Sequence, residues 1–129
     1  MRKCYFIFII IIVFSGLSCE KRALPDPDDY YTVTYSTLGE GISFVDEIQY
    51  NNELGGLETL HKIEEVFVRK IYVKKNFHAS IRFIGISDGT DSFSARLSFI
   101  NDLGTDQFIM EIHVANTGPF DVLLEKIIE

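Results

Sequence analysis

Cys19 is the side chain whose position in the sequence most clearly predicts a chemical reaction. It follows an apolar run over residues 5–14 and the small residues Gly16 and Ser18, and two basic residues precede the run. A basic start, an apolar segment shorter than the roughly 18–20 residues of a membrane-spanning helix, and small side chains before a cut are typical of an export signal. The sequence therefore predicts that Cys19 becomes lipidated, as in bacterial lipoproteins.

Ordinary signal-peptidase cleavage after Gly16-Leu17-Ser18 is the alternative, and it would leave a soluble protein with a free N-terminal thiol. Lipoprotein sites usually carry Leu three residues before the cysteine, whereas here Gly16 holds that position and Leu17 comes one place late. We favour lipidation because an exposed free thiol is a liability in an oxidising compartment. The expected location is the cell envelope, lipid-anchored at the outer membrane and facing the periplasm or the surface.

Three segments follow from this assignment: a lipoprotein signal peptide (1–18), an acidic, proline-containing tether (19–29) and a folded domain (30–129). Without residues 1–18, ten basic and nineteen acidic side chains leave the mature chain with a net charge of −9. Nucleic acid is therefore not an expected partner, because it would be repelled. Cys4 is removed with the signal, so the domain can form no internal disulfide.

The three histidines and the serines are the other side chains with catalytic or metal-binding chemistry. Nothing in the spacing of His61, His78 and His113 requires them to meet at one ion, although His78 and His113 could be neighbours if their strands pair. A nucleophilic serine would need a histidine and an acid from other loops, and no G-x-S-x-G motif occurs. We expect no catalytic residue, no metal, no cofactor and no enzymatic activity.

A basic cluster stands out in this acidic domain, formed by Arg69, Lys70, Lys74 and Lys75. As a functional site, it would contact anionic lipid, polysaccharide or a partner protein. As a structural feature, lysines on an edge strand prevent pairing with a second chain, and this interpretation is the favoured one.

Apolar residues interrupt otherwise polar strand faces at Ile84, Ile109 and Leu123. If these side chains cluster, they would form an exposed apolar patch, and such patches often mark interfaces. Ile84 and Ile109, together with the basic cluster, are the predicted partner contacts.

Alternation of apolar and polar residues, as in 77–83, 93–99 and 108–114, predicts the elements that position these side chains. Two-faced strands favour antiparallel sheets. Turn residues at 88–91 and 101–104 predict hairpin connections, so that 77–114 would form a meander. With further strands on both sides, we expect an all-β protein: an immunoglobulin-like antiparallel β-sandwich of about seven strands after the N-terminal signal helix.

Residues 48–59 (IQYNNELGGLET) and 73–102 (VKKNFHASIRFIGISDGTDSFSARLSFIND) carry a family resemblance. Over about residues 31–120, the chain resembles the soluble domain of the MmpS family and the small MmpS-like lipoproteins of Bacteroidetes. The resemblance implies an immunoglobulin-like sandwich and, from the mycobacterial branch, an accessory role beside a large transporter. That branch has a membrane helix and cysteines in the domain, in contrast to this chain.

These observations together predict a non-catalytic binding or accessory module, anchored to the membrane by its N-terminal lipid and serving a transport or envelope protein complex. The alternative is a surface-exposed lipoprotein that binds a glycan, a small molecule or a host.

Overall fold

The computed structural model describes Asp26 and residues 29–129, which form eight strands and one short 3-10 helix. The predicted signal segment, the lipidation site at Cys19 and most of the tether lie outside these residues. The elements are β1 (Tyr30–Leu38), the 3-10 helix (Glu40–Phe44), β2 (Val45–Asn51), β3 (Leu57–His61), β4 (Val68–Lys74), β5 (His78–Ser87), β6 (Phe93–Asn101), β7 (Gln107–Val114) and β8 (Gly118–Ile127).

Two antiparallel four-stranded sheets form the predicted β-sandwich. The first sheet has the strand order β4-β1-β6-β7, and the second has the order β3-β2-β5-β8. Five of the seven connections cross from one sheet to the other, and only β2–β3 and β6–β7 are hairpins. The described residues contain eight strands, in agreement with the expected number of about seven.

The predicted meander over 77–114 is wrong, because β5 belongs to the second sheet and β6 to the first. Residues 88–91 therefore connect the two sheets instead of closing a hairpin. Both strands have a continuous apolar face, and their placement in opposite sheets brings the rings of Phe83 and Phe93 to 6.1 Å across the core. The turn at 101–104 does join β6 to β7, as predicted.

Alternate residues of the central strands fill the space between the sheets. Val33 and Tyr35 of β1, Ile81 and Phe83 of β5, and Leu97 of β6 have no exposed surface. Full burial of one such apolar side chain contributes about 1.5–3 kcal/mol. The hydroxyl of Tyr35 donates a hydrogen bond of 3.0 Å to a main-chain carbonyl of β2, so its polar atom is satisfied inside the core.

A β-bulge and a glycine bring the backbone of the 3-10 helix close to β5. The register of the β2–β5 pair shifts between Val45 and Glu47, and Gly85 lies opposite Val45 at this point. A Cβ on Gly85 would lie 2.0 Å from the carbonyl oxygen of Phe44. Gly85 is therefore required because only a residue without a side chain permits this approach.

Candidate functional site

A cleft at the end of the sandwich where β1 begins is the best candidate for a binding site. It has a volume of about 380 Å³. Its walls come from the start of β1, the β2–β3 turn, the end of β4 and the residues that follow β4. We call it the tyrosine cleft, and it is lined by Tyr30, Glu53, Leu54, Gly55, Tyr72, Val73, Lys74, Lys75 and Phe77.

A second cleft of about 320 Å³ shares Tyr30, Lys74 and Lys75 with the first and extends to Asp29. The backbone N–H of Lys75 donates to the carbonyl of Asp29 at 2.8 Å. The chain therefore enters its first strand beside the tyrosine cleft.

Strand alternation explains why aromatic and basic side chains meet here. On β4, Lys70, Tyr72 and Lys74 are exposed, whereas Ile71 and Val73 between them are buried in the core. Tyr30 of β1 lies opposite Lys74, so its ring is a diagonal neighbour of the Tyr72 ring on the same face.

The two tyrosines form a fixed aromatic pair at the rim of the cleft. Their ring centroids are 5.2 Å apart with an interplanar angle of 11°, and the ammonium of Lys74 lies 5.4 Å from the centroid of Tyr30. The hydroxyl of Tyr72 donates to the carboxylate of Asp102, which raises the pKa of Tyr72 to about 12. The side chain of Tyr72 remains 54% exposed, so one face of a well-positioned ring is open to solvent.

A second tyrosine–carboxylate pair supports the β2–β3 turn that forms another wall. The hydroxyl of Tyr50 donates a hydrogen bond to Glu58 at 2.5 Å. Burial, and to a smaller extent this hydrogen bond, raises the pKa of Tyr50, whereas the same bond lowers the pKa of Glu58. The side-chain carbonyl of Asn52 accepts hydrogen bonds from the N–H groups of Leu54 and Gly56. The turn is therefore closed by its own polar groups, and Leu54 projects from its tip with 91% of its surface exposed.

The predicted basic cluster is divided between two faces and a turn. Lys70 and Lys74 lie on the outer face of the first sheet, Arg69 is on the opposite side of β4 within electrostatic range of Glu58, and Lys75 follows the strand. β4 is an edge strand, which is the position that the edge-protection interpretation requires. None of these four cations forms an ion pair within Asp26 and residues 29–129.

The three apolar residues singled out in the sequence do not form one patch. Ile109 lies on β7 in the first sheet and is 65% exposed, whereas Ile84 and Leu123 lie on β5 and β8 in the second sheet. Ile84 is opposite Asp121, and Leu123 is opposite Arg82, so charged side chains separate the apolar ones. Ile84 and Ile109 as partner contacts stay a prediction, but they belong to different surfaces.

The histidines lie apart. His78 and His113 are not neighbours, because β5 and β7 belong to different sheets. His78 is 3.2 Å from Glu125, and His61 is 3.7 Å from Glu47. In the part of the chain that the structure describes, no group of three or more His, Cys, Asp and Glu residues is placed to hold a metal ion.

The sequence did not predict one serine–histidine contact, because the register of β6 against β7 creates it. The hydroxyl of Ser94 is 3.2 Å from Nδ1 of His113, and Glu111, paired with Arg96 at 2.6 Å, also hydrogen-bonds Ser94. A catalytic triad needs the acid on the second ring nitrogen of the histidine, whereas this acid contacts the serine and the arginine. The group cross-links two strands on an open sheet face.

Comparisons with protein-family models, with curated proteins and with solved structures found no match. Within Asp26 and residues 29–129, no helix has the length and apolar character needed to cross a membrane.

Proposed function

We propose that this chain is a lipoprotein of the cell envelope, anchored through lipidated Cys19 at the outer membrane, and that it acts as a non-catalytic binding or accessory module for a transport or envelope complex. The basic, apolar and small-residue pattern before Cys19 supports the anchor. The resemblance of residues 48–59 and 73–102 to MmpS-like domains supports the accessory role.

The observation that carries the binding role is the tyrosine cleft beside the point where the chain enters β1. Tyr30, Tyr72, Lys74 and Lys75 combine apolar area with positive charge in a concave site. Sites that bind ligands are typically concave and apolar with a few convergent polar groups. Tyr30, Lys74 and Lys75 also line the second cleft together with Asp29, so the tyrosine cleft lies beside residue 29. In the proposed arrangement, the tether to the anchor would begin at this end of the domain.

The test is crosslinking in the native cells with the full-length protein, followed by affinity purification from the solubilised membrane. We expect a stoichiometric component of a transport or envelope complex to be captured by the wild type. The yield of that component should fall with Cys19→Ser, which removes the anchor, and with Tyr72→Ala combined with Lys74→Gln, which alters the cleft. Lys126→Gln is the matched control, because it removes a strand lysine from the other sheet.

Mass spectrometry of the purified N-terminal peptide checks the anchor itself, and a lipid-modified Cys19 is the expected result. A preparation with no envelope component, or one whose yield does not respond to the cleft variant, would refute the accessory role.

A surface-exposed lipoprotein that binds a glycan, a small molecule or a host is the second candidate. The open face of Tyr72 between two lysines favours it, because aromatic rings provide large contact area at low entropic cost. Protease treatment of intact cells separates the two candidates: a protected domain indicates the periplasm, and a digested one indicates the surface.

A further inference from the structure

We propose that the outer face of β4 and the adjoining tyrosine cleft bind an acidic polysaccharide, with a sugar ring stacked on Tyr72 and anionic groups held by Lys70, Lys74 and Lys75. This names the ligand class of the binding module proposed above, and so it rests on that function. We call Lys70, Tyr72 and Lys74 the basic row.

Positive charge in the described domain is concentrated on and next to β4. Residues 29–129 contain eight Lys and Arg and sixteen Asp and Glu, yet four of the eight cations lie on β4 and immediately after it. Arg82 and Arg96, on other strands, are each paired with an acid. The cations of β4 have no such pairing with any described residue, so their charge is available to an external anion.

The geometry of the basic row suits an extended anionic polymer. Alternate residues of a strand lie on one face about 6.8 Å apart, so Lys70 and Lys74 are separated by about 14 Å with the Tyr72 ring between them. This row has the order cation, aromatic ring, cation along an edge strand. The row therefore complements an extended polymer in which two anionic groups flank one sugar ring.

Tyr72 is already positioned for stacking. Its ring is held on one side by Tyr30 at 5.2 Å and at its hydroxyl by Asp102, while about half of its surface stays open. Stacking on this ring would therefore lose little side-chain entropy at Tyr72, which lowers that part of the entropic cost of association.

The neighbouring strand favours a sugar over other anionic polymers. Thr32 lies opposite Tyr72, and Thr34 lies opposite Lys70, so hydroxyl groups line the next strand of the same face and can pair with sugar hydroxyls. An acidic polysaccharide can also space its charges with neutral units. A nucleic acid carries a charge on every unit and would meet the surrounding carboxylates.

The binding test uses the full-length protein in detergent and hyaluronan, in which charged and neutral sugars alternate, with neutral dextran as the comparison polymer. Binding is measured over a series of salt concentrations. We expect hyaluronan to bind at least about tenfold more tightly than dextran, with a salt-dependent dissociation constant. Tyr72→Leu should weaken binding about tenfold, as loss of a stacking aromatic does in other complexes.

The lysines have a different signature from the tyrosine. Lys70→Gln combined with Lys74→Gln should weaken binding and reduce the slope of log Kd against log salt, because the two lysine charges supply electrostatic attraction that salt screens. Asp102→Ala keeps the ring but removes the acceptor of its hydroxyl, and it should weaken binding less than Tyr72→Leu. Lys126→Gln should change neither affinity nor slope, and circular dichroism verifies that each variant is folded.

Equal affinity for dextran and hyaluronan, or unchanged binding by Tyr72→Leu and by the double lysine variant, would overturn the proposal. Tighter binding of oligothymidylate or polyglutamate would assign the row to a nucleic acid or an acidic protein segment instead. If hyaluronan does not bind while the anchored protein still captures its envelope component through the cleft, the ligand class fails and the proposed function stands.

Discussion

Gly85→Ala is expected to destabilise the sandwich strongly, and the distances in the structure set the magnitude. The added Cβ would lie 2.0 Å from the carbonyl oxygen of Phe44 and 2.7 Å from Cζ of Phe120, whereas ordinary contact begins near 3.4 Å. Phe120 can rotate away, but the backbone at Phe44 must move by more than 1 Å. Overpacking of this kind costs about 1–3 kcal/mol, and we expect the upper end, about 3 kcal/mol.

For a domain of this size, a loss of about 3 kcal/mol lowers Tm by about 12–24 °C. Thermal and urea unfolding followed by far-ultraviolet circular dichroism measure this change. Gly56→Ala is the matched control, because the nearest atoms to its new Cβ, in the side chain of Asn52, are 3.4 Å away, which is an ordinary contact distance. A Gly85→Ala protein that melts within about 3 °C of the wild type would refute the reasoning.

The identity of the obstructing group can be tested separately. Phe120→Leu removes the ring that Gly85→Ala would contact, but it leaves the Phe44 carbonyl in place. The double variant should therefore recover less than half of the lost stability. Full recovery would show that the ring, and not the backbone, limits the space.

Three further predictions concern polar groups. Burial raises the pKa of Tyr35 to about 12, so the protonated hydroxyl contributes its full stabilisation below pH 10, and this contribution is lost as the pH rises from 10 to 12. Tyr35→Phe should therefore show a smaller fall in urea midpoint over that interval. Asn101→Ala should lower the free energy of unfolding, measured with urea, by about 1–3 kcal/mol. The reason is that the side-chain carbonyl of buried Asn101 accepts hydrogen bonds from the N–H groups of Thr105 and Asp106 in the β6–β7 turn. Hydrogen bonding to Arg82 lowers the pKa of Asp121, so this pair stabilises the fold at pH values above the ordinary aspartate range, and the effect is lost in acid. Asp121→Asn should therefore lose less stability on acidification than the wild type. The same dependence of stability on pH in both proteins would contradict the pairing.

The strands were largely predictable because alternation is a local property. The inward residues of β5 and β6 in the structure are the apolar set that the period of two identifies, from Ala79 to Phe83 and from Phe93 to Phe99. The pairing of β5 with β8, and of β6 with β1, was not predictable in the same way. Strand partners are chosen by burial between two sheets, and short turn sequences such as 88–91 suit either a hairpin or a crossing connection.

The candidate site was predictable only in part. The sequence indicates a basic cluster that includes Lys70, Lys74 and Lys75, but it does not associate these lysines with Tyr30, which is distant along the chain. The stacking of Tyr30 on Tyr72 depends on the register of β1 against β4, and the support from Asp102 depends on a turn that follows β6. A signal was present, since alternation already placed Tyr72 between two lysines on one strand face.

The sequence by itself determined the all-β class, because the side-chain period of two is encoded residue by residue and needs no partner strand. It also determined the predominance of acidic charge and the concentration of cations near residues 69–75. The tertiary structure decided which strands share a sheet, that β4 is an edge, and that Tyr30, Tyr72 and the lysines surround one cleft. These properties depend on contacts between segments far apart in the chain, where the favourable arrangement is the one that buries both apolar faces at once.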